Sequence, residues 1–251
     1  MKIIQYIIIL SISFFFILAC NYVTFAENMI KEPAPQKINT YNKDITGDGM
    51  KEKIQLFGIP FTNDSDYYKD LFIEIKSKNH EWRINYGGGF KPYLQFLDIN
   101  HDGIKDIIYQ SKKKKNINHT QIHYIKHGNI QNMGLPKQHI TGNFKNDFKI
   151  NIHLTPLEDP RTIDIKNNAE KYIDSGIYKK NGELKKKNTV IKIQPLTKYE
   201  SMQISDSQGY GLKSSQEIYG TNKDDSLGTI ETLWYFEDEK WIILQTKWAG
   251  N

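Results

Sequence analysis

The residues best suited to chemistry lie in two short acidic loops. The first reads Asp44-Ile45-Thr46-Gly47-Asp48-Gly49-Met50-Lys51-Glu52, and the second Asp98-Ile99-Asn100-His101-Asp102-Gly103-Ile104-Lys105-Asp106. Each places oxygen-bearing side chains at loop positions 1, 3, 5 and 9 and a glycine at position 6. A hard cation such as Ca2+ takes about six to eight oxygen ligands in a flexible cage, and this spacing supplies them. Asp98, Asn100, Asp102 and Asp106 would donate side-chain oxygens in the second loop, with the main-chain carbonyl of Ile104. Asp44, Thr46, Asp48 and Glu52 would do so in the first, with the carbonyl of Met50. The glycine permits the sharp turn. Asp, Asn and Gly also build tight turns that hold no ion. Two copies with the same offsets favour calcium, and Thr46 makes the first copy the weaker one.

The elements around the loops separate them from EF-hands. An EF-hand needs a glutamate at position 12 and flanking helices, but position 12 here is Gln55 or Tyr109. The flanks alternate like strands: Tyr93-Leu94-Gln95-Phe96-Leu97 enters the second loop and Ile107-Ile108-Tyr109 leaves it, while Lys53-Ile54-Gln55-Leu56-Phe57 leaves the first. The loops begin 54 residues apart, a spacing that suits a repeated supersecondary unit.

These features resemble the FG-GAP or VCBS-type repeat proteins of the secreted bacterial kind, whose strand–loop–strand units carry D-x-[DNT]-x-D-G-x-x-[DE]. The match is strongest from about 44 to 110, including Gly87-Gly88-Gly89-Phe90-Lys91-Pro92 ahead of the second loop. The stretch from about 190 to 248 resembles a third unit. Its expected loop, in 203–212, keeps only Asp206 among the acids. The resemblance implies an extracellular calcium-binding β-repeat fold and no enzymatic activity.

The N-terminus reads as a secretion signal: Lys2 precedes an almost wholly apolar run from Ile3 to Ala19. Two exits are open. Cleavage after Ala26 gives a signal peptide over 1–26. A lipobox-like Ile17-Leu18-Ala19-Cys20 gives a lipoprotein signal over 1–19 with Cys20 lipidated. Cys20 is the only cysteine, which excludes an internal disulfide and cysteine-ligated zinc. Residues 27–43, with Pro33 and Pro35, read as a tether, and 44–251 as a β-rich repeat domain with an irregular, lysine-rich insertion around 155–188.

The net charge of +5 rests almost wholly on lysine, with Arg83 and Arg161 the only arginines. That argues against nucleic-acid readers, which lean on arginine's bidentate contacts. Ser111-Lys112-Lys113-Lys114-Lys115-Asn116 reads as a solvated loop. His119, His123 and His127 recur every four residues, but a strand spreads such positions about 13 Å apart, too far for one zinc ion. Gly87-Gly88-Gly89 has no Lys-Ser/Thr after it and reads as a close backbone approach or bulge. Ala169–Ile173 suits a helical turn. Thr229–Phe236 and Trp241–Trp248 read as a hairpin closed by the four residues 237–240.

The expected fold class is therefore all-β, with short helix confined to loop insertions. Its repeated strand–loop–strand units would assemble as a partial propeller or a β-sandwich. The expected function is a non-enzymatic extracytoplasmic scaffold stabilised by Ca2+. Its partner would be a cell-envelope or protein ligand, and it would meet the membrane only through the signal or a lipid anchor. The alternative is a secreted envelope-polysaccharide hydrolase with structural calcium, which needs two converging carboxylates.

Overall fold

The computed structural model describes residues 33–250, apart from 115–116, 156–158 and 197 and the side chains of 114 and 117. Among these residues sixteen strands, one turn of 3-10 helix (Lys166–Asn168) and one short α-helix follow in chain order. β1 (Gln36–Lys43), β2 (Glu52–Pro60), β3 (Tyr67–Lys76) and β4 (Glu81–Asn85) form one antiparallel meander. β5 (Gly89–Leu97), β6 (Asp106–Lys114), β7 (Ile117–Lys126) and β8 (Asn129–Met133) form a second. The third comes after an interposed segment and comprises β13 (Lys198–Ser205), β14 (Gly209–Tyr219), β15 (Ser226–Glu237) and β16 (Lys240–Gly250). Four-stranded antiparallel meanders are the building unit of propeller blades. The protein is all-β, and the unit that repeats is four strands long.

The first two meanders share one sheet through a short seam, Tyr67↔Phe90 and Tyr68↔Gly89. The triple glycine explains why the strands approach there. A Cβ on Gly88 would lie 2.3 Å from the Tyr67 hydroxyl, and one on Gly89 would lie 2.7 Å from Ser111 Oγ. The ladder between β5 and β6 also shifts register between Phe90 and Tyr93. The glycines therefore serve close backbone approach beside a bulge, as expected.

Three apolar cores follow from the alternation of the strands. One lies on one face of the joint sheet and includes Ile54, Leu56, Ile73, Ile84, Leu94 and Ile107. A second joins the opposite face to the third meander: Ile99, Ile108, Ile122 and Met133 meet Tyr199, Leu212 and Trp234. Because both faces of β6 are covered, its residues from Asp106 to Ser111 are all buried. The third core lies between the interposed segment and the third meander.

That interposed segment departs from the irregular insertion expected around 155–188. β9 (Thr141–Lys145), β10 (Lys149–His153) and β11 (Arg161–Asp164) form their own sheet, and α1 (Ala169–Asp174) and β12 (Lys192–Ile193) follow. Within it, Ile165, Tyr172 and Tyr178 are core residues. The Tyr172 hydroxyl donates to Asp225 Oδ1 at 2.9 Å, and the Tyr178 hydroxyl reaches the carbonyls of Lys145 and Lys149 at 2.6 and 3.0 Å. Tyrosines can sit this deep because their hydroxyls find partners. The lysines between them hid the pattern.

Three further expectations are corrected. Residues 36–43 of the supposed tether are β1, an edge strand that turns only Ile38 and Tyr41 toward the core. Ser111 to Lys114 belong to β6 rather than to a solvated loop, and Ser111 is buried. The C-terminal hairpin closes through Asp238 and Glu239 alone, since Glu237 pairs with Lys240. Both turn residues have positive φ, 49° and 60°, the twist that two-residue hairpins favour.

Candidate functional site

Both acidic loops are hairpin ends with the same register. Lys43 pairs with Glu52 across residues 44–51, and Leu97 pairs with Asp106 across 98–105. The acid at position 9 is thus the first residue of the exit strand, and Glu52 and Asp106 are each only 1% exposed. Its carboxylate turns back beneath the loop and accepts the position-2 N–H: Ile45 to Glu52 at 2.9 Å, Ile99 to Asp106 at 2.7 Å. The isoleucine carrying that N–H is buried in both loops. The position-1 acid accepts the N–H of the position-6 glycine, at 2.9 Å in each. The position-5 acid accepts the position-7 N–H, at 2.8 Å in each.

The two loops lie side by side. A Cβ on Gly47 would come 2.6 Å from Cδ1 of Ile104, so the position-4 glycine of one loop provides the space for the position-7 side chain of the other. In the second loop position 4 is His101, with φ of 61°. Its ring stacks on Tyr235 of β15 at 4.3 Å and lies beside Gly209 at the β13–β14 hairpin. That hairpin occupies the place expected for a third loop. The hairpin ends of the three meanders therefore form a row.

Their polar groups are satisfied differently. In the first loop Asp44 Oδ1 accepts the N–H groups of Thr46 and Gly47, and Thr46 Oγ1 donates to Glu52 Oε1. In the second, Asp98 Oδ1 is shielded from solvent and has no hydrogen-bond partner. Asn100 and Asp102 bond to each other through Asn100 Nδ2 to Asp102 Oδ2 at 3.0 Å and Asp102 N to Asn100 Oδ1 at 3.1 Å. Burial raises the Asp106 carboxyl to about 7. The N–H groups of Ile99 and Asn100 oppose that rise, while the charges of Asp102 and Asp98 add to it. Among the described residues no cationic side chain pairs with these three acids, and no three His, Cys, Asp or Glu side chains converge closely enough to hold a metal ion.

The donor set of the second loop nevertheless fits Ca2+ in kind. It offers three carboxylates, one carboxamide, the Ile104 carbonyl, and an orphaned buried carboxylate oxygen on Asp98. An unpartnered anionic oxygen out of water is costly unless something compensates it. The first loop has no such atom. Cys20 and the signal segment expected over 1–26 lie outside the described residues.

The histidines sit as their spacing predicts on a strand. His119 and His123 flank Gln121 on one face of β7, and the Gln121 side chain bridges their Nε2 atoms at 3.0 and 3.1 Å. One end of an amide donates and the other accepts, so the two rings hold opposite tautomers. Burial lowers both, His123 to about 4. His127 lies in the turn beyond the strand with φ of 51°.

Sequence reasoning missed a cleft of about 620 Å³ between the second and third meanders. Its wall combines amide side chains (Gln121, Asn132, Gln138, Gln216) with Leu135, Pro136 and Leu196. Isolated amides on three strands and one connecting segment form no motif, so no local signal pointed there.

Residues 138–249, less than half of the chain, match the model of the YybI C-terminal domain. This stretch corresponds to the interposed segment and the third meander. No curated protein matches the chain. Among solved structures, the chain is similar to rhamnogalacturonan lyase PL11 of Bacillus licheniformis, with 16% identity and a TM-score of 0.35 over 86% of this chain and 34% of that one. It is similar to rhamnogalacturonan lyase YesW at 15% identity and a TM-score of 0.35, over 87% and 35%. The chain spans about a third of the length of both, and so distant a likeness assigns no function.

Proposed function

We propose that this protein is a non-enzymatic extracytoplasmic scaffold of the FG-GAP/VCBS-type repeat kind, whose second acidic loop takes a structural Ca2+ and whose surface binds a cell-envelope or protein partner. The observation that carries the calcium reading is the buried, unpartnered Oδ1 of Asp98, in a loop whose positions 1, 3, 5, 7 and 9 all present oxygens; the His101 ring at position 4, whose Nε2 is also buried and unpartnered, is stacked on Tyr235. Asp98, Asn100, Asp102 and Asp106 would hold the ion with the Ile104 carbonyl. Bound there, Ca2+ would supply the positive charge that three neighbouring carboxylates lack and would tie the second meander to the third through His101. The side chains of Asn100 and Asp102 must exchange their mutual hydrogen bonds for the ion. The first loop has the same donor positions with its carboxylates already satisfied, and is the weaker site.

The extracytoplasmic placement rests on the apolar N-terminal run and its two exits, at Ala26 or at Cys20. The hydrolase alternative needs paired carboxylates facing a cleft. No acid is among the described residues that line the cleft between the second and third meanders. Titration calorimetry of Ca2+ into the chelator-stripped protein tests the proposal. One site that vanishes in Asp98→Ala supports it; no heat beyond dilution overturns it.

A further inference from the structure

The cleft between the second and third meanders has three features that act together. First, Gln216 is only 5% exposed, its Nε2 donates to the Gln194 carbonyl, and its Oε1 is shielded from solvent with no partner. Gln216 lines the cleft, and a turn of its carboxamide toward the opening would let this unpaired oxygen accept an N–H or O–H from whatever enters. Second, β8 covers β7 only from Ile122 to Lys126, whereas β7 begins at Ile117. Thr120 and Gln121 line the cleft on that uncovered edge, and among the described residues no strand or loop main chain hydrogen-bonds to it. An open strand edge presents alternate N–H and C=O groups to any extended chain laid beside it. Third, among the described residues Lys137 is the only charged one in the lining, and it forms no ion pair with any of them.

We propose that this cleft binds an extended peptide segment that adds a strand to the free edge of β7, donates a main-chain N–H to Gln216 Oε1 and sets an acidic group against Lys137. Strand addition draws affinity from main-chain hydrogen bonds and specificity from pockets for alternate side chains. Leu135, Pro136 and Leu196 provide one apolar pocket of that kind. A peptide fits better than a glycan, because the Tyr199 ring is buried with its hydroxyl donated to the Pro136 carbonyl. The cleft therefore has an amide-matched edge rather than an exposed aromatic platform. This inference rests on the reading of the chain as a binding protein, and not on its calcium.

The test pans a phage-displayed random dodecapeptide library against the full chain, then measures selected synthetic peptides by fluorescence anisotropy with calcium and with chelator. The expected result is acidic peptides that bind about tenfold more weakly to Gln216→Leu and Lys137→Glu. They should also lose binding when one main-chain N–H is methylated. Gln216 is buried, so Asn132→Arg on the exposed rim serves as the second variant; it blocks the cleft without touching the core, and thermal unfolding checks each fold. Peptides indifferent to all three substitutions or to N-methylation overturn the proposal. So does a neutral oligosaccharide whose binding depends on Gln216, or the absence of any selected peptide. Failure of the calcium reading shows separately, as peptide binding that persists without any calcium response.

Discussion

The loops at 44–52 and 98–106 close hairpins of the same register with the same three hydrogen bonds, yet they leave different groups unsatisfied. The first spends both Asp44 oxygens and both Glu52 oxygens on its own N–H and hydroxyl groups. The second leaves Asp98 Oδ1 buried and bare, and the charges of Asp102 and Asp98 add to the burial that raises Asp106. The difference begins at positions 3 and 4. Thr46 can donate its hydroxyl to the position-9 acid, while Asn100 turns to Asp102. Gly47 is free to carry positive φ and bring its own N–H to Asp44, while His101 carries positive φ with its ring anchored on Tyr235. Matching donor offsets therefore do not make matching sites: the same motif satisfies its own carboxylates in one copy and leaves a buried acceptor open in the next, the copy proposed to take the ion.

The largest expected effect is on pH dependence. With chelator present, native Asp106 keeps its proton to about pH 7, whereas the unfolded chain loses it near pH 4. The native state thus binds more protons across that window, so this contribution to stability falls as pH rises from about 4 to 7 and is flat above. The loss amounts to about 4 kcal/mol. Asp106→Asn keeps an acceptor for Ile99 and Asn100 but removes the charge. In denaturant titrations at several pH values it should abolish this component of the slope and be more stable than wild type at pH 8. Parallel wild-type and variant curves would erase the contrast between the loops.

A crossover comes next. In chelator, Asp44→Ala strands three N–H groups and Asp98→Ala strands one, so the first variant should lose about 2 kcal/mol more. With saturating calcium the order should reverse, because Asp98 is then a ligand. Chemical denaturation of both variants under both conditions reads this directly. The smallest effect concerns His101. Replacing it with alanine removes the stack on Tyr235 and retains positive φ on a residue with a Cβ, costing about 1 kcal/mol. His101→Gly relieves the backbone and should recover part of that loss. Equal unfolding midpoints for the two would show that position 4 does not distinguish the loops.

Much of this was legible from the residues. The loop offsets, the flanking alternation and the C-terminal aromatic runs declare hairpins, and the eroded copy at 203–212 falls at the matching hairpin end. The four-strand unit was harder to see, because its outer strands are edges. β1 shows only Ile38 and Tyr41 to the core, and β8 is five residues long. β14 and β15 bury Ser214, Gln216 and Thr232 among apolar neighbours, which breaks the period-two signal. Ser214 is tolerated because Trp234 Nε1 donates to it at 2.8 Å, a contact between residues 20 apart in sequence. The neighbouring placement of the two acidic loops depends on Gly47 and Ile104, 57 positions apart, and no local pattern encodes it.

The central claim, that the loop at 98–106 is a calcium site, is tested most directly by thermal unfolding of the wild type and of Asp98→Ala/Asp102→Ala, each with excess calcium and with excess chelator. Ion at about ten times its Kd adds roughly 1.4 kcal/mol, a rise of about 3–5 °C for a chain of this size. The account predicts that rise in the wild type and none in the double variant. A wild-type midpoint that is the same in calcium and in chelator would contradict it.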